Sequence, residues 1–326
     1  MGKKFSKLSQ SSSNDNENEL ERSNVPKLFK YVDGKRYHNV TNLRYHLPND
    51  GDEFDRLQMQ HYLTRYIWQS NFSAPVHELL RNGGEDIRVL DVGVKLIIFY
   101  FSTFNLDSCG PGTWILEMSS DYPQTGMFHG IDIAPIFPDT IKPFNATFSI
   151  QNALEGLNFP DNHFDYVYMR FLTAAFSTEQ WETIVIPELV RVTKNGGYIE
   201  IMEWDVKIYG QGPIAKRLMD SFLSDLRSRG INDYIVEVIP EFMEKINQLT
   251  NIEHETCANP QGLYGGQLGK LALDNGISIF RTYKPKFSKE YNMSSDEYDK
   301  LIEDFIKEMD IYKPHNITHR FWAKKI

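Results

Sequence analysis

Two short glycine-containing segments have the residue types best suited to bind a ligand. They lie between a predicted strand and a predicted helix, and their acid and alternating glycines are Asp91, Gly93, Gly110 and Gly112. Glycines permit a tight turn and let a ligand approach the backbone without a Cβ in the way. Asp132 follows Gly112 by 20 residues, the separation at which an acid meets ribose hydroxyls in dinucleotide-type folds. This order of strand, glycine loop, helix and acid predicts a nucleoside-binding site. The alternative is an ordinary tight turn followed by a solvated acid.

The spacing of the glycines indicates which nucleoside is bound. Dinucleotide sites use G-x-G-x-x-G to present a helix N-terminus to pyrophosphate. When VLDVG (89–93) is joined to CGPGTW (109–114), the pattern is D-x-G-x-G-x-G, with an acid in the loop. S-adenosylmethionine has no phosphate and carries a sulfonium and an ammonium, so a carboxylate suits it. We therefore expect S-adenosylmethionine as the cofactor.

Alternating strands and helices must position this loop. The predicted strands lie at 87–93, 127–133, 146–150, 164–169 and 198–204, with helices at 113–120 and 178–192. A helix at 50–69 precedes them, and helices at 212–229, 237–248, 265–280 and 294–309 with strands at 252–256 and 317–323 follow them. The alternation over 76–205 predicts a parallel sheet covered on both faces, with the ligand at the carboxyl ends of its strands.

The joined glycine loop, Asp132 and the F-x-D-x-x-F-D pattern at 159–165 resemble class I S-adenosylmethionine-dependent methyltransferases. More narrowly, the segments 45–61 and 186–205 resemble the fungal methyltransferases that include the LaeA-like regulators. The resemblance covers residues 43–325. It implies a Rossmann-like, doubly wound α/β sheet of seven strands with the last strand antiparallel, and methyl transfer to a small molecule or a protein.

The resemblance also suggests roles for single residues near the cofactor. Asp91, Gly93, Gly110 and Gly112 would face its methionine half, and Asp132 would accept two hydrogen bonds from the ribose. The remaining cofactor candidates follow the second, third and fourth strands: Ile133 beside the adenine, Asn152 at the adenine amino edge, and Arg170 at the cofactor carboxylate or the substrate. Asn152 could instead cap its own turn, and Arg170 could form a structural salt bridge.

The helix at 50–69 resembles a lid over the cofactor in the same family. Its candidates are Tyr45, which precedes it, and Arg56, Gln60 and His61 on it. The alternative is a solvated amphipathic face on which His61 is satisfied by a neighbour. Four residues could act as a general base, but nothing distinguishes one of them: His46, His61, His163 and Asp205. No metal site is predicted.

The family's loop is continuous, whereas here residues 94–108 (VKLIIFYFSTFNLDS) separate Gly93 from Cys109. A turn that cradles a ligand loses its geometry when 15 residues enter its centre. We hypothesise that the segment is translated from a retained intron, because its residues have AT-rich codons, its first codon begins with GT, and its removal restores the motif. The alternative is a genuine insertion. For the chain as written, impaired binding of S-adenosylmethionine is expected.

Composition narrows the remaining classes of protein. The 326 residues are 41% hydrophobic and 24% charged, and the net charge of -9 argues against a partner bound through nucleic-acid phosphates. Two cysteines are too few for a disulfide framework and suggest a reducing compartment. The longest apolar run, 96–101, is too short for a transmembrane segment, and no secretory signal is visible. A cytoplasmic location is predicted, with the nucleus as the alternative.

The N-terminus and the domain organisation follow from the same patterns. Residues 1–24 are polar and are predicted to be a disordered tail. Gly2 and Ser6 match an N-myristoylation spacing that could give membrane contact, but Lys3 disfavours it, and a basic tail without acylation is the preferred interpretation. The domain is predicted at 43–326, with a lid at 43–75, a cofactor core at 76–205 and substrate-side elements at 206–326.

Three functions remain at this stage. The leading one is a methyltransferase, and the second is a non-catalytic S-adenosylmethionine-binding regulator of LaeA-like type. An NAD-dependent oxidoreductase is disfavoured by the acid in the loop and the lack of a Tyr-x-x-x-Lys signature. The identity of the methyl acceptor stays open.

Overall fold

The computed structural model describes residues 29–32, 35–38, 51–93, 112–133, 137–138 and 140–326, with side chains described from residue 57 onward. The predicted tail, Tyr45, His46, Gly110 and the segment 94–108 lie outside the described residues. The side chain of Arg56 is also outside them, although its backbone belongs to the first helix.

A seven-stranded sheet forms the centre of the fold, and its strand order is β5-β4-β3-β6-β7-β9-β8. The strands are β3 (Arg88–Val92), β4 (Met127–Asp132), β5 (Ala146–Ile150), β6 (Phe164–Arg170), β7 (Thr193–Trp204), β8 (Leu249–Pro260) and β9 (His315–Lys325). Strands β3 to β7 are parallel, and β9 is antiparallel to both of its neighbours. The doubly wound sheet with an antiparallel last strand is therefore confirmed. A separate antiparallel hairpin, β1 (Phe29–Val32) and β2 (Lys35–His38), was not predicted.

Helices cover both faces of the sheet and its carboxyl end. They are α1 (Gly51–Trp68), α2 (His77–Asn82), α3 (Thr113–Asp121), α4 (Thr178–Gln180), α5 (Ile186–Val192), α6 (Pro213–Ser228), α7 (Ile235–Glu244), α8 (Gly266–Thr282), α9 (Lys284–Glu290) and α10 (Ser295–Tyr312). A π-helical turn, Trp181–Val185, joins α4 to α5. None of the helices within the described ranges is long and apolar enough to cross a bilayer.

Alternate residues of the central strands bury opposite faces of the sheet. Leu90 and Val92 belong to one core cluster, which α5 and α7 cover. Val89 lies on the other face, in a cluster with Trp114 of α3. Because both faces are buried, the strands consist of nearly continuous apolar residues, which made them recognisable in the sequence.

The helices after β7 form a third hydrophobic cluster of their own. It joins α6, α8, α9 and α10, with Phe222, Phe280 and Phe305 among its buried side chains. This cluster lies against the residues that follow β6 and β7, including Ala174 and Val206. The sheet therefore carries a helical layer next to the edge where a ligand is expected.

Strands β7, β8 and β9 are longer than the sequence pattern predicted, and β9 exceeds its predicted range of 317–323 by two residues at each end. β7 begins at Thr193 rather than residue 198, and it includes Gly196 with a φ of 84°. Glycines are typical of strand ends, so the Asn-Gly-Gly sequence hid this part of the strand. β8 extends from Leu249 to Pro260, and most of its side chains are exposed or half-buried. Its polar sequence therefore lacks the apolar run that marks the inner strands.

Candidate functional site

Three charged side chains lie where the inner strands end. Asp91 is the penultimate residue of β3, Asp132 ends β4 and Arg170 ends β6. β4 lies on one side of β3 and β6 on the other, so the strand order reverses at this point. In open α/β sheets, ligands bind in the crevice at such a switch point. The fold thus brings together the predicted residues Asp91, Asp132 and Arg170.

Asp91 is the most unusual of these groups. Its side chain is 1% exposed, and neither carboxylate oxygen has a hydrogen-bond partner among the described residues. Burial raises the pKa of this carboxyl from 3.8 to about 7, Arg170 opposes the rise, and Asp132 adds to it. A buried carboxylate without hydrogen bonds destabilises a fold, so its presence requires an explanation such as a bound cation.

The backbone beside Asp91 continues the sheet. The amide of Gly93 donates to the Ile131 carbonyl at 2.9 Å, so the strand pairing extends one residue beyond β3. Asp132 is fully buried, and its own carbonyl accepts a hydrogen bond from the Gln151 amide at 3.0 Å. Ile133 is half-buried and packs against the main core cluster. The Gly93 amide is therefore already hydrogen-bonded within the sheet. The neighbouring Asp91 side chain, in contrast, has no hydrogen-bond partner among the described residues.

Gly112 sits where α3 begins and has a φ of 73°, a conformation that disfavours side chains. A Cβ at this position would lie 2.5 Å from the ring of Phe148. That ring stacks on Phe137, with centroids 5.0 Å apart. Both the backbone conformation and the close approach of Phe148 require glycine here, and the predicted approach of a ligand to Gly112 stays a prediction.

Asn152 caps the turn that follows β5. Its side-chain oxygen accepts from the Leu154 amide at 3.1 Å, and its amide nitrogen donates to Glu155 at 2.9 Å. The structure thus places Asn152 in the capping role that was the alternative interpretation. Its contact with an adenine stays a prediction.

A chain of polar contacts connects Arg170 to helix α1. The Arg170 guanidinium donates to His61 Nδ1 at 3.0 Å, and His61 Nε2 lies 2.6 Å from a Glu117 oxygen. Glu117 also pairs with Arg65 at 2.6 Å. Burial lowers the pKa of His61 to about 4, although the bond to Glu117 opposes the decrease. His61 is therefore neutral at pH 7, with Nε2 protonated and Nδ1 accepting.

The contacts of His61 bear on the two interpretations of the helix at 50–69. Arg170 and Glu117 satisfy both ring nitrogens of His61, as the alternative interpretation expected, but the residue is 1% exposed and is therefore not solvated. Because its Nδ1 accepts from Arg170, His61 positions that guanidinium instead of offering a base. Gln60 lines a cavity at the carboxyl edge of the sheet. The predicted contacts of all the lid residues with a cofactor remain predictions.

Two buried glutamates of β7 that sequence reasoning missed hold the surrounding loops. Glu203 accepts from the Leu172 amide at 2.6 Å and from the Thr173 amide at 3.0 Å, which fixes the loop after Arg170. Glu200 accepts from the amides of Ser73 and Ala74, at 2.9 Å and 2.8 Å, and so fixes the segment after α1. The sequence offered one indication of their role, which was the presence of acids within a buried strand. Because an unpaired charge there is unfavourable, such acids are expected to have hydrogen-bond or charged partners.

The remaining candidate bases have other contacts. His163 stacks on Phe159 with centroids 5.9 Å apart. Asp205 accepts a hydrogen bond from the Tyr209 hydroxyl, and burial raises its pKa. His315 and His319 have the spacing H-x-x-x-H, but both lie in β9, where four residues span about 13 Å, too far to share a metal ion. None of these groups stands out as a base.

The donor set at the switch point fits S-adenosylmethionine. The cofactor is cationic, and Asp91 offers a buried carboxylate with unused acceptors. Asp132 adds a second acid at the end of the neighbouring strand, where a ribose would lie. Gly112, with its positive φ, allows the chain to turn into α3 beside these acids. The site therefore suits a nucleoside with a positive charge.

Comparison with known proteins agrees with this geometry. Residues 108–197 match a family described as a methyltransferase domain. The match begins at the last residue of the interrupting segment, so the VLDVG strand lies outside it.

Several fungal proteins are similar over a longer range. The "Secondary metabolism regulator laeA" of Coprinopsis cinerea is 28% identical over 178 residues, which are 54% of this chain and 39% of that protein. The "Methyltransferase pytC" of Aspergillus terreus is 29% identical over 54% of this chain and 46% of that protein. The "N-methyltransferase verN" of Clonostachys rogersoniana is 26% identical over 86% of this chain and 92% of that protein. The matched part spans less than half of the first two relatives.

The strand order and the family match agree on a methyltransferase domain over residues 108–197. The similar proteins named above are fungal and include a LaeA regulator, in agreement with the resemblance that the sequence motifs indicated. S-adenosyl-L-methionine is the cofactor of this family.

Proposed function

We propose that the protein binds S-adenosylmethionine at the switch point and transfers its methyl group to an acceptor. The observation that carries the proposal is the buried Asp91 carboxylate, which has no hydrogen-bond partner among the described residues and lies beside Asp132. A buried acid destabilises the fold, and such an acid is found where it binds a ligand. The cationic methionine half of the cofactor supplies that use.

When bound, S-adenosylmethionine would supply a methyl group activated by its sulfonium. The acceptor's lone pair would form the bond to the methyl carbon, the electrons of the broken carbon–sulfur bond would remain on sulfur, and the acceptor's proton would pass to solvent or a base. The protein's own contribution is orientation and exclusion of water. Arg170 is held by His61, and the loop after it is held by Glu203, so this edge of the site is rigid. We assign these residues positioning roles.

The segment 94–108 separates the two halves of the loop, and we propose that it impairs cofactor binding in the chain as written. The retained-intron hypothesis is tested by sequencing the mature transcript. If the 45 corresponding nucleotides are present in the dominant messenger RNA, the segment is a genuine insertion and the hypothesis is wrong.

Calorimetric titration of S-adenosylmethionine tests the binding step. We expect weak or undetectable binding to the full chain and at least tenfold tighter binding after deletion of 94–108. Asp91→Asn in the deletion variant should lose this binding, whereas Asp220→Asn, which removes an exposed acid on α6, should retain it. Absence of binding to a deletion variant that unfolds cooperatively would contradict the proposal.

Turnover distinguishes an enzyme from a regulator. The deletion variant is incubated with methyl-labelled S-adenosylmethionine and a fungal metabolite extract, and S-adenosylhomocysteine is measured. Formation of this product that depends on the extract supports transfer. Cofactor binding without turnover in any extract would favour the non-catalytic regulator instead, a function that the name of the Coprinopsis cinerea relative also suggests.

The finer organisation belongs to the same proposal. We propose that residues 43–75 act as the lid, 76–205 as the cofactor core and 206–326 as the substrate side. The separate hydrophobic cluster formed by α6, α8, α9 and α10 supports the last division. A cytoplasmic location stays a prediction, and fluorescence microscopy of a tagged chain would test it.

A further inference from the structure

A cavity of about 80 Å³ opens beside the proposed cofactor site. It lies between the lid helix α1, helices α6 and α8, and the carboxyl ends of β7 and β8. Gln60 and Phe171 line it, and they directly adjoin His61 and Arg170 of the polar chain described above. The cavity is therefore next to the edge where the cofactor's reactive end is expected.

The described residues that line this cavity are uncharged. They are aliphatic, thioether, aromatic, amide or hydroxyl side chains, together with Gly276, and none of them carries an ionisable acid or base. A charged ligand that contacts only these residues would lose its hydration without gaining a counter-ion, which is unfavourable. The lining therefore selects against ammonium, guanidinium and carboxylate groups.

Two polar atoms in the lining residues have no partner among the described residues. Trp204 Nε1 is a buried donor, and Asn259 Oδ1 is a buried acceptor on a side chain that is 4% exposed. An unsatisfied buried group of this kind is unfavourable, so both atoms are suited to a polar ligand group. The lining therefore combines apolar side chains with several amide and hydroxyl groups, and two of its polar atoms are unsatisfied.

We propose that this cavity binds the methyl acceptor, and that the acceptor is a small, uncharged, mainly apolar molecule with a hydroxyl or N–H group. Its polar group donates to Asn259 Oδ1 or accepts from Trp204 Nε1. At about 10–15 Å³ for each water-sized position, the cavity holds about five to eight non-hydrogen atoms, the size of one substituted ring. The inference rests on the proposed methyl transfer and names its substrate class.

Three probes of similar size and different charge test the inference on the full chain. Saturation-transfer NMR at pH 7 compares benzyl alcohol, which is neutral, with benzylamine, which is cationic, and benzoate, which is anionic. We expect benzyl alcohol to bind and both charged probes to bind at least tenfold more weakly. Equal binding of either charged probe would overturn the inference.

Gly276 provides a matched pair of variants. A Cβ at this position meets nothing within 4 Å, so Gly276→Ala should fold and retain most of the binding. Gly276→Leu extends into the cavity and should abolish it. Trp204→Phe keeps the ring but removes the N–H donor, and we expect several-fold weaker binding. If Gly276→Leu fails to fold, Trp204→Phe decides, and unchanged binding in that variant refutes the assignment.

The two proposals fail in different experiments. If benzyl alcohol binds to the cavity but the deletion variant binds no S-adenosylmethionine, the methyltransferase proposal fails and the cavity's ligand class stands. If S-adenosylmethionine is consumed only when a cationic or anionic acceptor is supplied, the methyltransferase proposal stands and this inference fails.

Discussion

Replacing Asp91 with Asn should favour the folded state as the pH rises, although the same substitution should abolish cofactor binding in the deletion variant. Burial raises the pKa of Asp91 from 3.8 to about 7. A folded-state pKa above the unfolded value means that the folded chain binds the proton more tightly. The contribution of this group to stability is therefore fully present below about pH 4 and is lost as the pH rises toward 7.

The size of the effect follows from the same values. Raising one pKa from 3.8 to about 7 corresponds to about 4 kcal/mol at high pH, at about 1.36 kcal/mol per unit. About half of this loss has occurred at pH 5.5. The difference in unfolding free energy between Asp91→Asn and the unaltered chain should therefore shift in favour of the variant by about 2 kcal/mol between pH 5.5 and pH 8.

Urea unfolding followed by circular dichroism at both pH values measures this shift. The pH dependence is compared instead of the absolute stability, because the buried Asn amide has its own cost at every pH. Asp220→Asn controls for the loss of one negative charge, since Asp220 is an exposed partner of Lys216. A stability difference that is the same at pH 5.5 and pH 8 would refute the reasoning.

Three further substitutions probe the contacts around the site. Glu200→Gln removes a buried acceptor of several hydrogen bonds, so it should lower the free energy of unfolding in urea by about 3–5 kcal/mol. Glu255 is an exposed acid that contacts the same loop, and Glu255→Gln should change that free energy by less than about 0.5 kcal/mol. His61→Ala leaves the buried Arg170 without its acceptor, so we expect the free energy of unfolding in urea to fall by about 2–4 kcal/mol. In the deletion variant, the same substitution should weaken cofactor binding measured by calorimetry. If both values are unchanged, His61 does not position Arg170. Gly112→Ala places a Cβ against an aromatic ring at positive φ and should reduce cofactor affinity at least tenfold in the deletion variant.

The inner part of the fold was predictable from the sequence for a physical reason. Strands β3, β4 and β6 are buried on both faces, and β3 and β4 end near an acid that marked them in the sequence. The helices α2 and α9 have only six and seven residues and escaped detection, because so few residues show no clear helical period. The carboxyl-edge location of Asp91, Asp132 and Arg170 followed from the order of elements alone.

The partners of these residues were not predictable. His61 and Glu117 are 56 residues apart and belong to different helices, so their contact depends on how α1 packs against α3. Asn152 has a sequence context that suits both a cap and a ligand contact, and only the observed hydrogen bonds identify the cap. The described lining of the cavity comes from six elements, α1, β7, α6, β8, α8 and β9, that are distant in the chain, and no single segment reveals it.

The way α3 is attached has a consequence for a chain that carries the interrupting segment. Trp114 stacks on Tyr168 with centroids 4.3 Å apart and donates to the Asn71 carbonyl at 3.0 Å, so side chains of the helix hold it in place. Lengthening the connection between β3 and α3 from 5 to 20 residues costs only about 1 kcal/mol in loop entropy. We therefore expect a protein with the segment to fold and persist in the cell even if it cannot use its cofactor. Such a protein would escape degradation and could bind the partners of a protein that lacks the segment. The relative amounts of the two transcripts would then set the methyltransferase activity in the cell.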